Sequence, residues 1–293
     1  MTALQEFHYR TLRPAAGHFP GAHRSSRGET GFEFRGHLPL QDAPDARRID
    51  LRASLRDPHE QWLVRVHSQR MTVPVYLIAD LSASMAFEGA RRKLDVLGDF
   101  ARALAYSAAR HGDAFGFVGC DRGIREDLLL PLTRARGAGL DLGDRLRRLA
   151  DRGGLDAARA HGAQGLALAH RHLRRTRALV FLASDFHFGA ALLERVLDSL
   201  AMHEVVPVVI RDEAEYALPD GGALGHALAW ARDPETGERR LLWSRPALRA
   251  RWADLQARSR AHLQAQLREH RLRPLFLEQG FRAEAVTAYF VSG

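Results

Sequence analysis

The chain has one cysteine, Cys120, in 293 residues, which excludes an internal disulfide and any site built on several thiolates. It has one lysine, Lys93, so 42 of its 43 basic residues are arginine. Its longest apolar runs, near 73–79 and 178–183, fall far short of the roughly 20 residues of a membrane helix. Residues 1–13 are mixed and charged, without the apolar core of a secretory leader. The expected location is therefore the cytoplasm, with the inner-membrane surface as the alternative, and no membrane span. There is no G-x-S-x-G elbow and no G-x-x-x-x-G-K-[ST] loop, so neither an α/β-hydrolase nor a P-loop nucleotidase is supported. The fifteen histidines, His161, His170 and His172 among them, show no H-E-x-x-H or other zinc-type spacing and read as structural or surface groups.

What is present is the composition of a globular chain, 46% hydrophobic and 27% charged, long enough to bury a core without disulfides. The net charge of +8 is spread from Arg10 to Arg282 and interleaved with acids. That is the pattern of solvated helix faces rather than the clustered footprint of a nucleic-acid binder. Nucleic acid is not an expected partner.

Residues 73–79 are a continuous apolar run rich in β-branched side chains, the pattern of a strand buried on both faces. Leu94, Leu97, Ala101, Leu104, Ala105 and Ala108 follow at three- and four-residue spacings, which predicts a helix stopped by Gly112. Further strands are predicted at 114–120, 128–132 (a short edge), 178–183 and 205–210, with helices at 140–150, 166–175 and 190–202. This alternation predicts an α/β fold, a doubly wound and mostly parallel sheet over about 72–210, completed by a strand near 274–277. A hairpin around Asp233–Gly237, a long Arg-rich helix from Pro246 to about His270 and a short helix near 284–290 fill the tail. Residues 14–45 are rich in Gly, Pro, Ser and His and read as extended. The organisation expected is an N-terminal extended segment, 1–71, packed on a main domain, 72–293.

In such a sheet, ligands bind beyond the carboxyl ends of the strands. There the first buried strand runs into Asp80-Leu81-Ser82-Ala83-Ser84, a D-x-S-x-S turn whose three oxygen-bearing side chains can converge on one point. Oxygen ligands of low total charge suit a hard divalent cation, Mg²⁺ or Mn²⁺. Asp185 ends a later strand in Ser184-Asp185 and can hold the same ion through water if the two strands are neighbours. In the alternative the site is vestigial, with Asp80 and Ser82 capping the next helix. Cys120 ends a buried strand with no histidine in register and reads as an inert core thiol. A hydrolase reading lacks a general base, since no His or Glu lies in the motif before Glu88.

Apolar strand, D-x-S-x-S, helix and a later strand ending in Ser-Asp resemble a von Willebrand factor A domain with its metal-ion-dependent adhesion site. Two upstream segments and one downstream make the chain similar, over about residues 17–293, to the bacterial family called domain of unknown function 58. They are Arg27-Gly28-Glu29-Thr30-Gly31-Phe32-Glu33-Phe34, then Arg47-Arg48-Ile49-Asp50-Leu51-Arg52-Ala53-Ser54-Leu55-Arg56, and Asp233-Pro234-Glu235-Thr236-Gly237. The resemblance implies a von Willebrand factor A-like, Rossmann-type domain and a non-enzymatic protein-interaction module. Its implied partners are a MoxR-type AAA+ ATPase and a client complex under assembly or maturation, methanol dehydrogenase maturation being one context. It implies an ion held by Asp80, Ser82, Ser84 and, through water, Asp185, with an acidic side chain of the partner completing the coordination. Gln164, in Ala163-Gln164-Gly165-Leu166, stands where the family has a threonine ligand, and Leu51 where it has Trp. The alternatives are a basic docking scaffold with a vestigial site and a metal-dependent hydrolase.

Overall fold

The computed structural model describes residues 5–11, 20–24, 33–68, 70–87, 89, 91–151, 162–212, 215, 227–232 and 239–292. Residues 27–32 of the first family segment, Glu88, His161 and the 233–237 turn lie outside them.

Five short elements precede the main sheet: β1 (Pro20–Arg24), β2 (Glu33–Pro39), α1 (Leu51–Ser54), β3 (Leu63–Ser68) and β4 (Arg70–Met71). β1 pairs with β4 and β2 with β3, both antiparallel. Asp50 organises this segment. One carboxylate oxygen caps α1 by accepting from the Arg52 and Ala53 N–H groups at 3.1 and 3.2 Å. The other accepts from Arg65 Nε at 2.7 Å and His37 Nε2 at 3.0 Å. Ser54 Oγ donates to the Asp50 carbonyl and accepts from the Leu63 N–H, both at 2.8 Å. The Asp and Ser of the Arg47–Arg56 segment are thus scaffold groups, and Leu51 stands 61% exposed.

The chain continues through β5 (Pro74–Asp80), α2 (Lys93–His111), β6 (Ala114–Cys120), β7 (Leu130–Thr133), α3 (Ala138–Asp151), β8 (Leu179–Ser184), α4 (Ala190–Ser199) and β9 (Glu204–Ile210). Then follow β10 (Ala227–Arg232), β11 (Arg239–Ser244), α5 (Pro246–Glu269), β12 (Leu275–Leu277) and α6 (Ala283–Val291). The fold is mixed α/β around a six-stranded sheet of order β12-β9-β8-β5-β6-β7, parallel except for the antiparallel edge β7. β10 and β11 form a separate antiparallel pair. Side chains alternate along a strand, so Val75, Leu77 and Ala79 pack on one face with Leu97 and Phe100 of α2 and Phe290 of α6. Tyr76 and Ile78 pack on the other with Val196 and Leu197 of α4 and Leu267 of α5. Cover on both faces is why the strand reads as an unbroken apolar run.

The N-terminal residues join this core. Phe7 is fully buried, its ring stacked 6.0 Å from that of Phe100. Asp113, also buried, accepts from Tyr9 Oη at 2.6 Å, His23 Nε2 at 2.8 Å and the Val73 N–H at 2.8 Å.

Two helix ends share a geometry. α2 closes with the Gly112 N–H donating to Ala109 O and the Asp113 N–H to Ala108 O, with Gly112 at φ 78°. This is a Schellman motif, which requires one left-handed residue and usually takes glycine there. α5 closes with the same pair of bonds, Arg271 N–H to Arg268 O and Leu272 N–H to Leu267 O, both at 2.8 Å. Its left-handed residue, at φ 58°, is Arg271.

The structure differs from expectation at 166–175, which is 3₁₀ rather than α-helical and spans Gln164–His172. Its buried apolar side chains, Leu166 and Ala169, with Leu173 just beyond, recur at three- and four-residue spacings that suit either winding.

Candidate functional site

β5 and β8 are adjacent and parallel, with Ala79 opposite Ala183, so Asp80 and the Ser184–Asp185 pair share the carboxyl edge of the sheet. The turn after β5 is shaped by its own side chains. Asp80 Oδ1 accepts from the Ser82 N–H at 2.8 Å, folding the chain back, and the Leu81 N–H donates to Cys120 O at 2.6 Å. Ser82 Oγ and Ser84 Oγ then lie 3.2 Å apart. Ser184 Oγ donates to Asp80 Oδ2 at 2.6 Å and accepts from the Phe186 N–H at 2.8 Å. Phe186, the next residue after Asp185, has φ 58°, a left-handed conformation that costs a bulky residue energy and clusters at functional sites.

The structure brings Asp80, Ser82, Ser84 and Asp185 together, all at most 3% exposed. It does not bring Gln164 to them. That residue is exposed at the start of the 3₁₀ segment, its amide against Gly162, and it makes no hydrogen bond to the other four among the described residues.

The two carboxylates differ in their electrostatics. Asp80 has only neutral donors among the described residues, Ser82 and Ser184. Its burial, together with the nearby Asp185 charge, pushes its pKa up to about 6. For Asp185, burial acts in the same upward direction, but the Lys93 ammonium and His187 outweigh it and hold the group well below the usual carboxylate range. Lys93 Nζ lies 2.8 Å from Asp185 Oδ2 and 2.7 Å from Glu215 Oε2, and donates to Ser84 O at 3.2 Å. His187 Nδ1 lies 3.0 Å from Asp185 Oδ2. Asp185, His187 and Glu215 each offer a ligand atom within 4.8 Å of one another, the geometry of a cation site, and the chain's single lysine holds its ammonium against both carboxylates.

Sequence reasoning missed these three groups. Lys93 carries a signal, being the one lysine among 43 basic residues, and His187 follows Asp185 by two. Glu215 carries none, because only the turn after β9 delivers it. His187 and Glu215 also correct the expectation that no general base stands beside the site. Cys120 is buried, and burial, with Asp80 and Asp121 adding, raises its thiol pKa far above neutrality, as an inert thiol requires.

A buried carboxylate that has no cationic partner among the described residues, beside two buried hydroxyls, fits a hard divalent ion. Asp80, Ser82 and Ser84 meet that description. Asp185 contributes less, since Lys93 already balances its charge, and Gln164 contributes nothing in this arrangement.

Residues 39–262 match the family described as Protein of unknown function DUF58. A Paracoccus denitrificans protein described as "Uncharacterized protein in moxR 3'region" is 36% identical over 108 residues, 37% of this chain and 98% of that protein. Among solved structures, an aerotolerance-related membrane protein from Bacteroides fragilis is similar at 14% identity and TM-score 0.41, over 75% of this chain and 97% of its own. Proximal thread matrix protein 1 of the mussel byssus is similar at 17% identity and TM-score 0.34; the match takes in 47% of this chain and only 38% of that one.

Proposed function

The chain belongs to the family described as Protein of unknown function DUF58, and from that premise we propose a non-enzymatic protein-interaction module that works beside a MoxR-type AAA+ ATPase in maturing another complex. The partner is supported by the Paracoccus denitrificans relative, described by its place in the moxR 3' region. A mostly parallel sheet with a D-x-S-x-S turn at its carboxyl edge supports a von Willebrand factor A-like domain. The observation that carries the reading is Asp80, fully buried, faced by neutral donors and adjoining two buried hydroxyls. Asp80, Ser82 and Ser84 would hold Mg²⁺ or Mn²⁺, with Ser184 fixing the second Asp80 oxygen. The ion supplies a Lewis-acidic position that a partner carboxylate completes. Because all three residues are covered, engagement requires the side chains around them to shift.

Lys93 favours a second reading, a basic docking scaffold whose metal site is vestigial, because it already neutralises Asp185. Unfolding midpoints in Mg²⁺, Mn²⁺ and chelator, with binding of a MoxR-type ATPase, separate the two. The metal reading expects stabilisation of about 2.7 kcal/mol at a hundredfold excess over Kd, abolished by Asp80→Ala and reduced by Ser82→Ala or Ser84→Ala. It also expects chelator and Asp80→Ala to weaken ATPase binding alike, with salt acting less. Binding indifferent to chelator but lost in salt establishes the scaffold. Turnover of a small phosphate or acyl ester that disappears in His187→Ala establishes a hydrolase.

A further inference from the structure

The amino end of the sheet, opposite Asp80, holds a cavity of about 480 Å³ between α4, β9, α6 and the α5–β12 connection, within the roughly 300–1,000 Å³ of small-molecule sites. Its walls are apolar, with Leu197, Leu200, Val206, Leu272 and Phe290. Three arginines, Arg177, Arg271 and Arg273, and two acidic residues, Asp198 and Glu204, are among the lining residues, so the guanidinium groups outnumber the carboxylates there. The three arginines are not equivalent. Arg273 is committed, its guanidinium 4.0 Å over the Tyr289 ring and in reach of Ser292 Oγ. Arg177 bonds the Met202 carbonyl at 3.4 Å. The Arg271 guanidinium has no partner among the described residues, yet its backbone occupies the left-handed position of the α5 Schellman motif, where glycine is the unstrained choice. An observed backbone outlier of this kind is a pointer to function.

His203 adds a fixed donor. Its Nδ1 accepts from the Ala178 N–H at 3.2 Å, so the neutral ring carries its proton on Nε2. Burial, aided by Arg177, lowers its pKa, which keeps the ring neutral and this tautomer in place.

We propose that this cavity binds a small organic anion, a carboxylate or phosphomonoester on an apolar body, with the body between Leu197, Leu272 and Phe290 and the anion met by Arg271 and the His203 Nε2–H. No residue of the D-x-S-x-S site takes part, so the proposal is independent of the metal reading. The full chain is titrated, by ligand-observed NMR and thermal shift, with phenyl phosphate, 4-phenylbutyrate, and the neutral and cationic counterparts benzyl alcohol and benzylamine. Binding of either anion at millimolar concentration with no binding of the other two is the expected result, and which anion binds identifies the headgroup. Arg271→Gly is expected to weaken that binding about tenfold, the loss of one charge-assisted contact, while the unliganded protein melts no lower. Ala201→Phe, an exposed lining position, is expected to abolish binding by filling the cavity without altering charge. Failure of both anions to bind, equal binding of benzyl alcohol, or full affinity in Arg271→Gly overturns the proposal.

Discussion

Lys93 serves Asp185 and Glu215 as a tethered cation, 1% exposed and within 2.8 Å of each. Removing one partner of a buried pair strands the other's charge, so Lys93→Ala is expected to cost about 3–5 kcal/mol. Zn²⁺ should return part of that loss, since the ligand atoms of Asp185, His187 and Glu215 already lie within 4.8 Å of one another. Urea unfolding of the variant with and without Zn²⁺ measures both effects; a variant as stable as wild type removes the tethered-cation account. Asp80 makes the opposite prediction. The folded chain keeps its proton up to about pH 6, whereas the unfolded chain releases it near the ordinary value of about 4. In chelator, stability therefore falls as pH rises through that window. Asp80→Asn should flatten the slope and exceed wild type at pH 7 by on the order of 2 kcal/mol, visible as unfolding midpoints across pH. Of the site, the D-x-S-x-S turn and Ser184–Asp185 were legible because each is local, a strand end plus its turn. Lys93 was not, because its role depends on where the first turn of α2 points, and an arginine-rich composition disguised it.

The matched ends of α2 and α5 isolate one backbone conformation. Gly112 and Arg271 make the same pair of capping bonds at φ 78° and 58°, and a Cβ at Gly112 would meet only Thr72 Cγ2, at 4.0 Å. Space is therefore not limiting and conformation is. Gly112→Ala should destabilise by about 1 kcal/mol and Arg271→Gly should stabilise by a similar amount. Thermal melts of the two variants should shift in opposite directions; a loss of stability in Arg271→Gly would mean that contacts of its side chain outweigh the strain. Gly112 was readable as a helix stop because glycine advertises the conformation, whereas Arg271 broadcasts nothing. Strands were legible for a related reason. Continuous apolar runs of six or seven residues suit few alternatives in an α/β chain, while the 3₁₀ segment Gln164–His172 shares its apolar spacing with an α-helix.

At the scale of the molecule, the two ends of the sheet are built differently. The carboxyl edge is assembled from strand ends and neighbouring turns. The amino edge is closed by distant chain: Phe7 and Tyr9 come from a stretch whose sequence reads only as mixed and charged, and their partners Ser107 and Asp113 lie about a hundred residues away. Periodicity carries no information about such pairings, so the sequence predicts an extended segment packed on the rest of the chain but not that Phe7 and Tyr9 enter the core. Asp113 concentrates the attachment, since three buried donors depend on it. Leaving a buried donor unsatisfied costs about 1–3 kcal/mol, so Asp113→Ala is expected to lose several kcal/mol and to release residues 5–11 and 20–24 together. Hydrogen exchange should accelerate there and along β4, while β5 and β8 stay protected. Any Mg²⁺-dependent stabilisation should survive the substitution, because Asp80 stands at the far end of a seven-residue strand, roughly 20 Å away, and sites that distant are additive. Unchanged exchange in residues 5–11 would show that the stacking of Phe7 on Phe100 holds the segment without Asp113. A metal response lost along with the attachment would show instead that the two edges of the sheet are coupled through the strands between them.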